Sequence, residues 1–170
     1  DRSAEIQSKW QTMYDGIQRA NSYLRVIPTM DVLTEEQKNE YMAEARFLRG
    51  MFYFTLLDLY GGVPYYDETT NLNVEYVGLK KPRSSAEEIR AHIISDLNEA
   101  VAYLPVRHND SDYGRATKGA AYALRGKVYL YNKEWQNAIE DFEEIVNNKS
   151  NNYGYGLDAD YAHIFKLYNG

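Results

Sequence analysis

Apolar residues in this chain recur at steps of three and four, and nowhere over a useful length do they alternate with period two. That spacing restricts the fold to packed α-helices, each with one buried face. The first run is Ile6, Trp10, Met13, Tyr14, Ile17, Ala20, Tyr23, Leu24 and Ile27, with Pro28 as its stop. The second begins at a Thr34 and Gln37 capping box and continues through Tyr41, Ala45, Leu48, Phe52, Leu56 and Leu59. Gly61 and Gly62 end it, and Pro64 prevents its resumption. A third helix opens at Ser84 or Ser85, with Glu88 placed to complete a second capping box, and carries Ile89, Ile93, Leu97, Ala100, Val101 and Leu104 before Pro105. Thr117 caps a small-residue helix through Ala120, Ala121, Leu124, Val128 and Leu130. After a break at Asn132 and Lys133, a fifth helix takes Trp135, Ala138, Ile139, Phe142, Ile145 and Val146. Residues 159–165 are expected to add one or two helical turns.

Three stretches carry no helical period, one of them the polar, glycine-bearing loop Asn147 to Gly156. Residues 61–83 form a connection of unusual length, and such loops are commonly functional or disordered. The polar stretch Arg107 to Arg115 is a shorter loop.

The last two helices match the tetratricopeptide template, in which an aromatic, a glycine and a tyrosine on one helix face an alanine and an aromatic on the next. Tyr122, Gly126, Tyr129, Ala138 and Phe142 stand at those places, with Trp135 just ahead of the second helix. Arg125 occupies the place of the expected leucine. Small residues at Gly126 and Ala138 allow close helix approach while the aromatics fill the crossing. The first two helices make a looser pair, and the third lacks a clear sequential partner. The expected class is therefore all-α, a tetratricopeptide-like helical repeat scaffold with long irregular loops.

Composition narrows the function. Net charge is −6, with 19 Lys plus Arg against 25 Asp plus Glu, so nucleic acid is not an expected partner. There is no cysteine, which removes thiolate metal sites, disulfides and a cysteine nucleophile. The longest apolar stretch, Met51 to Leu57, ends at Asp58 and is too short to span a bilayer. The chain opens on Asp1 without a signal-peptide pattern, so it is expected to be processed or cut from something longer. Tyrosine is abundant, at 17 of 170 residues, and suits both helix interfaces that reach the surface and surfaces that bind amphipathic ligands such as sugars.

Four ordered blocks now stand out: Trp10 to Asn21 (WQTMYDGIQRAN), Glu44 to Pro64 (EARFLRGMFYFTLLDLYGGVP), Asp96 to Pro105 (DLNEAVAYLP) and Gly114 to Trp135 (GRATKGAAYALRGKVYLYNKEW). Together they span nearly the whole chain, which resembles the SusD/RagB family of surface glycan-binding lipoproteins of Bacteroidetes. The resemblance implies a scaffold of tetratricopeptide-like helix pairs within a larger protein, residues 1–170 being one such region. It implies capture of an oligosaccharide or similar nutrient at the cell surface, and its delivery to a SusC-type, TonB-dependent transporter. Localisation would be the outer membrane, through a lipid anchor on a cysteine that this chain lacks. The family's glycan contacts fall largely outside the matching blocks, so none is transferred here. The alternative reading is a tetratricopeptide adaptor that binds a peptide in a concave groove.

No cofactor is expected. His92, His108 and His163 fit no metal-ligand spacing, so we expect surface or capping roles for them and no metal. Neither a nucleophile elbow nor a phosphate-binding loop is present, and acidic pairs such as Glu35 with Glu36, Glu87 with Glu88 and Glu143 with Glu144 point apart on a helix. No catalytic residue is expected, and the chain reads as a binding protein, not an enzyme. Arg46 and Arg49 are expected in ion pairs between helices, and Arg115 in a tie between its loop and a neighbouring acid. The candidate glycan-binding residues are Tyr65, Tyr66 and Tyr76, whose rings suit the apolar face of a pyranose. The competing role for these tyrosines is to anchor the long loop to the helices.

Overall fold

The computed structural model describes residues 2–70, 81–147 and 153–165. It contains five α-helices: α1 (Arg2–Val26), α2 (Glu35–Tyr60), α3 (Ala86–Tyr103), α4 (Lys118–Tyr131) and α5 (Trp135–Val146). No strand occurs among the described residues. None of these helices is long and apolar enough to cross a membrane.

The helix ends follow from the local chemistry. At the start of α2, Gln37 N–H donates to Thr34 Oγ1 (3.2 Å) while the Thr34 N–H donates to the Gln37 side chain (3.0 Å). The Ser85 and Glu88 pair at the start of α3 does the same, at 3.1 and 2.8 Å. Each reciprocal pair satisfies amides that the first helical turn leaves without partners. α1 tightens into a 3-10 turn at Ile27–Thr29, where Pro28 denies the α-helix a donor. Between α4 and α5 the chain reverses through Lys133, whose φ of 62° is the sole positive value outside glycine among the described residues. The segment Tyr161–Phe165 is a further 3-10 turn.

The helices stack in chain order, each antiparallel to the one before. Gly16 on α1 faces Phe52 on α2, and Tyr60 at the end of α2 donates to the Ile6 carbonyl near the start of α1 (2.8 Å). The α2–α3 seam is the most extensive, and α3 also packs on α4. This places α3 as the partner of α2, a relationship the degenerate repeat pattern did not reveal.

Two layers of core hold the stack. A large-residue cluster of Met13, Ile17, Tyr53, Phe54, Leu56, Val63, Ile89, Ile93, Leu97 and Val128 joins four helices. A smaller one of Ala43, Ala100, Leu104 and Ala121 lets α2, α3 and α4 approach closely. Each fully buried Ile or Leu removes enough apolar area from water to contribute about 1.5–3 kcal/mol. The tetratricopeptide register is confirmed at α4–α5, because a methyl built on Gly126 would lie 2.7 Å from Phe142 Cε1.

Candidate functional site

The irregular chain after α2 is held by both of its ends. Ser84 N–H donates to the Val63 carbonyl at 3.1 Å, closing the neck of the loop. Here Gly62 is required by contact, since any Cβ there would sit 2.1 Å from the Ser84 carbonyl oxygen. The residues between Gly62 and Thr70 then lie across α1 and α2.

Arg49 is the centre of this attachment. It is 4 % exposed and reaches Asp96 on α3 through Nε (2.8 Å) and Nη2 (2.7 Å). Its Nη1 donates to Asn21 Oδ1 on α1 (2.7 Å) and to the loop carboxylate of Glu68 (2.5 Å). One guanidinium therefore ties three helices and the loop, using the fork geometry that a lysine lacks. Burial works against the charge on Arg49, but the Asp96 and Glu68 bonds outweigh it and hold the group firmly cationic. Glu68 is likewise partly buried, and the Arg49 bond wins there too, keeping its carboxyl below the usual range.

Backbone groups of the loop are satisfied by side chains from the helices. Asn21 Nδ2 and Tyr53 Oη both donate to the Tyr66 carbonyl, at 3.0 and 2.9 Å, and Tyr66 N–H donates back to Tyr53 Oη at 2.7 Å. Tyr14 Oη donates to the Pro64 carbonyl (2.7 Å), and Arg25 donates to the carbonyls of Glu68 (3.0 Å) and Thr70 (2.8 Å). Burial pushes the Tyr14 and Tyr53 hydroxyls well above the usual tyrosine range, so both remain donors.

Tyr65 lies with one ring face stacked on the imidazole of His92, centroids 3.7 Å apart and planes 5° from parallel. The Tyr53 ring is 5.0 Å away at a tilt of 35°. Tyr66 is half-buried, edge-on to Tyr14 at 6.0 Å, with the Lys81 ammonium 5.2 Å from its ring. Tyr76 lies outside the described residues. Both described tyrosines pack on side chains of the helices, and His92 covers one face of Tyr65.

The expected ion pairs find their partners. Arg46 bonds Glu99 at 3.0 Å, and Arg115 holds both oxygens of Glu44 at 2.8 and 2.9 Å. Arg125, at the template's leucine position, makes two bonds to the buried Asp141 on α5 (2.9 and 2.6 Å) and one to Asn98 on α3 (2.8 Å). It replaces an apolar contact with an ion pair that also reaches the preceding helix.

The histidines separate. His92 is exposed, as expected, and stacks on Tyr65, whereas the His163 side chain lies outside the described residues. Of the two roles expected for His108, surface or capping, the surface one does not hold, and its ring bonds the Ala116 carbonyl beside the α4 cap residue Thr117. The His108 side chain is 7 % exposed, and it meets Glu40 and Glu44 although 64 or more positions separate it from them in sequence. Sequence spacing offered no signal for that grouping. A shallow groove of about 310 Å³ between α1 and α2 is lined mainly by apolar residues such as Ala20, Leu48 and Phe52. Its two charged groups are Arg19 and Glu44, and Glu44 is already taken by Arg115.

A stack of tetratricopeptide-like hairpins bearing one firmly anchored loop defines a helical-repeat scaffold protein. The family model described as "Starch-binding associating with outer membrane" matches residues 2–130, and the chain belongs to this SusD-like family. It is 30% identical to a SusD-like protein of Bacteroides ovatus over 96% of this chain and 31% of that protein. It is 31% identical to the starch-binding protein SusD of Bacteroides thetaiotaomicron, over 78% of this chain and 23% of that protein. Among solved structures, a laminarin-binding SusD-like protein superposes with a TM-score of 0.84 at 32% identity, covering 93% of this chain and 34% of that one. The chain spans between 23% and 32% of the length of the curated relatives it matches.

Proposed function

We propose that this chain is the helical scaffold region of a longer surface nutrient-binding protein. The whole protein captures an oligosaccharide and delivers it to a SusC-type, TonB-dependent transporter, without chemistry of its own, at the outer membrane through a lipid anchor. The observation that carries this reading is the SusD-like match over residues 2–130 together with the superposition on a laminarin-binding relative. An adaptor for peptides is disfavoured by the same match.

Within this region the loop tyrosines serve first as anchors. Sugar contact falls to Tyr76 and to the parts of Tyr65 and Tyr66 that reach the surface, with the main contacts supplied by residues beyond this region. Isothermal titration of this chain and of the full-length protein against starch and laminarin oligosaccharides tests the reading. Measurable affinity in the full-length protein, with little or none in this chain, is expected. Equal affinity in both would move the binding surface onto the scaffold, and alanine at Tyr65, Tyr66 and Tyr76 would then locate it. Hydrolysis of any panel member would overturn the binding-protein assignment.

A further inference from the structure

Glu40 and Glu44 lie four residues apart on α2 and so project from one face of that helix. The connection between α3 and α4 lays His108 onto this face, and one ligand-capable atom from each of the three residues lies within 4.8 Å of the other two. His108 Nε2 is 2.7 Å from the Ala116 carbonyl, which can only accept, so the proton is on Nε2. In the neutral ring Nδ1 then carries the lone pair, on a side chain more than nine-tenths buried and 4.0 Å from Glu40 Oε1.

In that neutral form no proton lies between the two atoms, and 4.0 Å is too long for a hydrogen bond. A tetrahedral ion about 2.0–2.2 Å from each would draw the two atoms to roughly 3.4 Å, a small movement for the partly exposed Glu40 side chain. A backbone carbonyl on the far ring nitrogen is also the arrangement that orients a metal-ligating histidine. The local charge fits. Glu40, Glu44 and Asp112 outnumber the Arg115 that pairs with two of them, and its bonds to Glu44 still leave each carboxylate oxygen a second lone pair.

We propose that Glu40, Glu44 and His108 bind a divalent transition-metal ion of the zinc class, which staples the α3–α4 connection to α2. Imidazole among the ligands favours such an ion over calcium or magnesium, which prefer oxygen alone. The assignment is independent of the glycan-binding reading.

Zinc alone is titrated calorimetrically into the chain near neutral pH, where free imidazole is neutral. The expected result is one ion per chain, with affinity at least roughly tenfold weaker in Glu40→Gln and His108→Gln and unchanged in His92→Gln. Glu40 is partly exposed, so Glu40→Gln decides the matter should His108→Gln fail to fold. Absence of binding up to about 100 µM zinc overturns the site, as does wild-type affinity in Glu40→Gln. Calcium binding as tightly as zinc overturns the role of the imidazole.

Discussion

Arg49 on α2 and Asp96 on α3 face each other in a two-bond ion pair from which water is nearly absent, the residues being 4 and 5 % exposed. Because Arg49 also holds Asn21 and Glu68, the pair joins the tightest helix seam to the loop that follows α2. A buried ion pair stabilises little by itself compared with an apolar pair, yet it fixes one arrangement of the groups around it.

Replacing Arg49 by Met should therefore cost about 3–5 kcal/mol, because Asp96 and Glu68 are left without their cation. The double variant Arg49→Met, Asp96→Leu should recover most of that loss, although the loop remains without its Arg49 contact. Urea unfolding of the wild type and both variants measures the difference. A double variant as unstable as the single one would show that geometry and not stranded charge is responsible.

Arg125 and Asp141 invite the same operation at the tetratricopeptide crossing. Arg125→Leu restores the template residue but strands a carboxylate that is 5 % exposed, and should cost about 3 kcal/mol. Adding Asp141→Leu should return stability to the wild-type value or above it. Thermal unfolding of the two variants checks this, and continued instability of the double variant would refute it.

Gly126→Leu should destabilise the protein by about 1–3 kcal/mol, since its first side-chain carbon would already press on Phe142. Phe142→Ala in the same chain should reduce the penalty, because the two substitutions then share one space. Unchanged melting temperature in Gly126→Leu would mean that α4 and α5 are not held at this distance.

Acid should release the loop. Burial raises the Glu68 carboxyl, but the Arg49 bond lowers it further, so its native pKa lies below the unfolded one. Such a group adds stability above its unfolded pKa and loses it as pH falls through the native value. Glu68→Gln should thus be less stable than the wild type at neutral pH, and the two should converge below the carboxylate range of about pH 4. Melts of both proteins across that range measure the gap, and a gap independent of pH would assign the loss to packing.

The helices and their caps were legible in the sequence because the interactions that set them span at most four residues. The Thr34 and Gln37 box, the Ser85 and Glu88 box and the stop at Pro28 all act within a single turn. The Gly126 and Phe142 contact was legible too, since a short hairpin leaves two helices only one antiparallel register. Charge chemistry announced that Arg46, Arg49 and Arg115 needed acids, but not which acids. Asp96 lies 47 positions from Arg49, and Glu44 lies 71 from Arg115. Which carboxylate meets which cation depends on how α3 lies against α2, and that is decided by the joint packing of Ile89, Ile93 and Leu97 with Tyr53 and Leu56. The same packing turned Tyr65 onto His92 and carried His108 into the face of Glu40 and Glu44. A periodic pattern fixes a helix's buried face, whereas the side chains that meet across two faces follow from register, which exists only once the helices have docked.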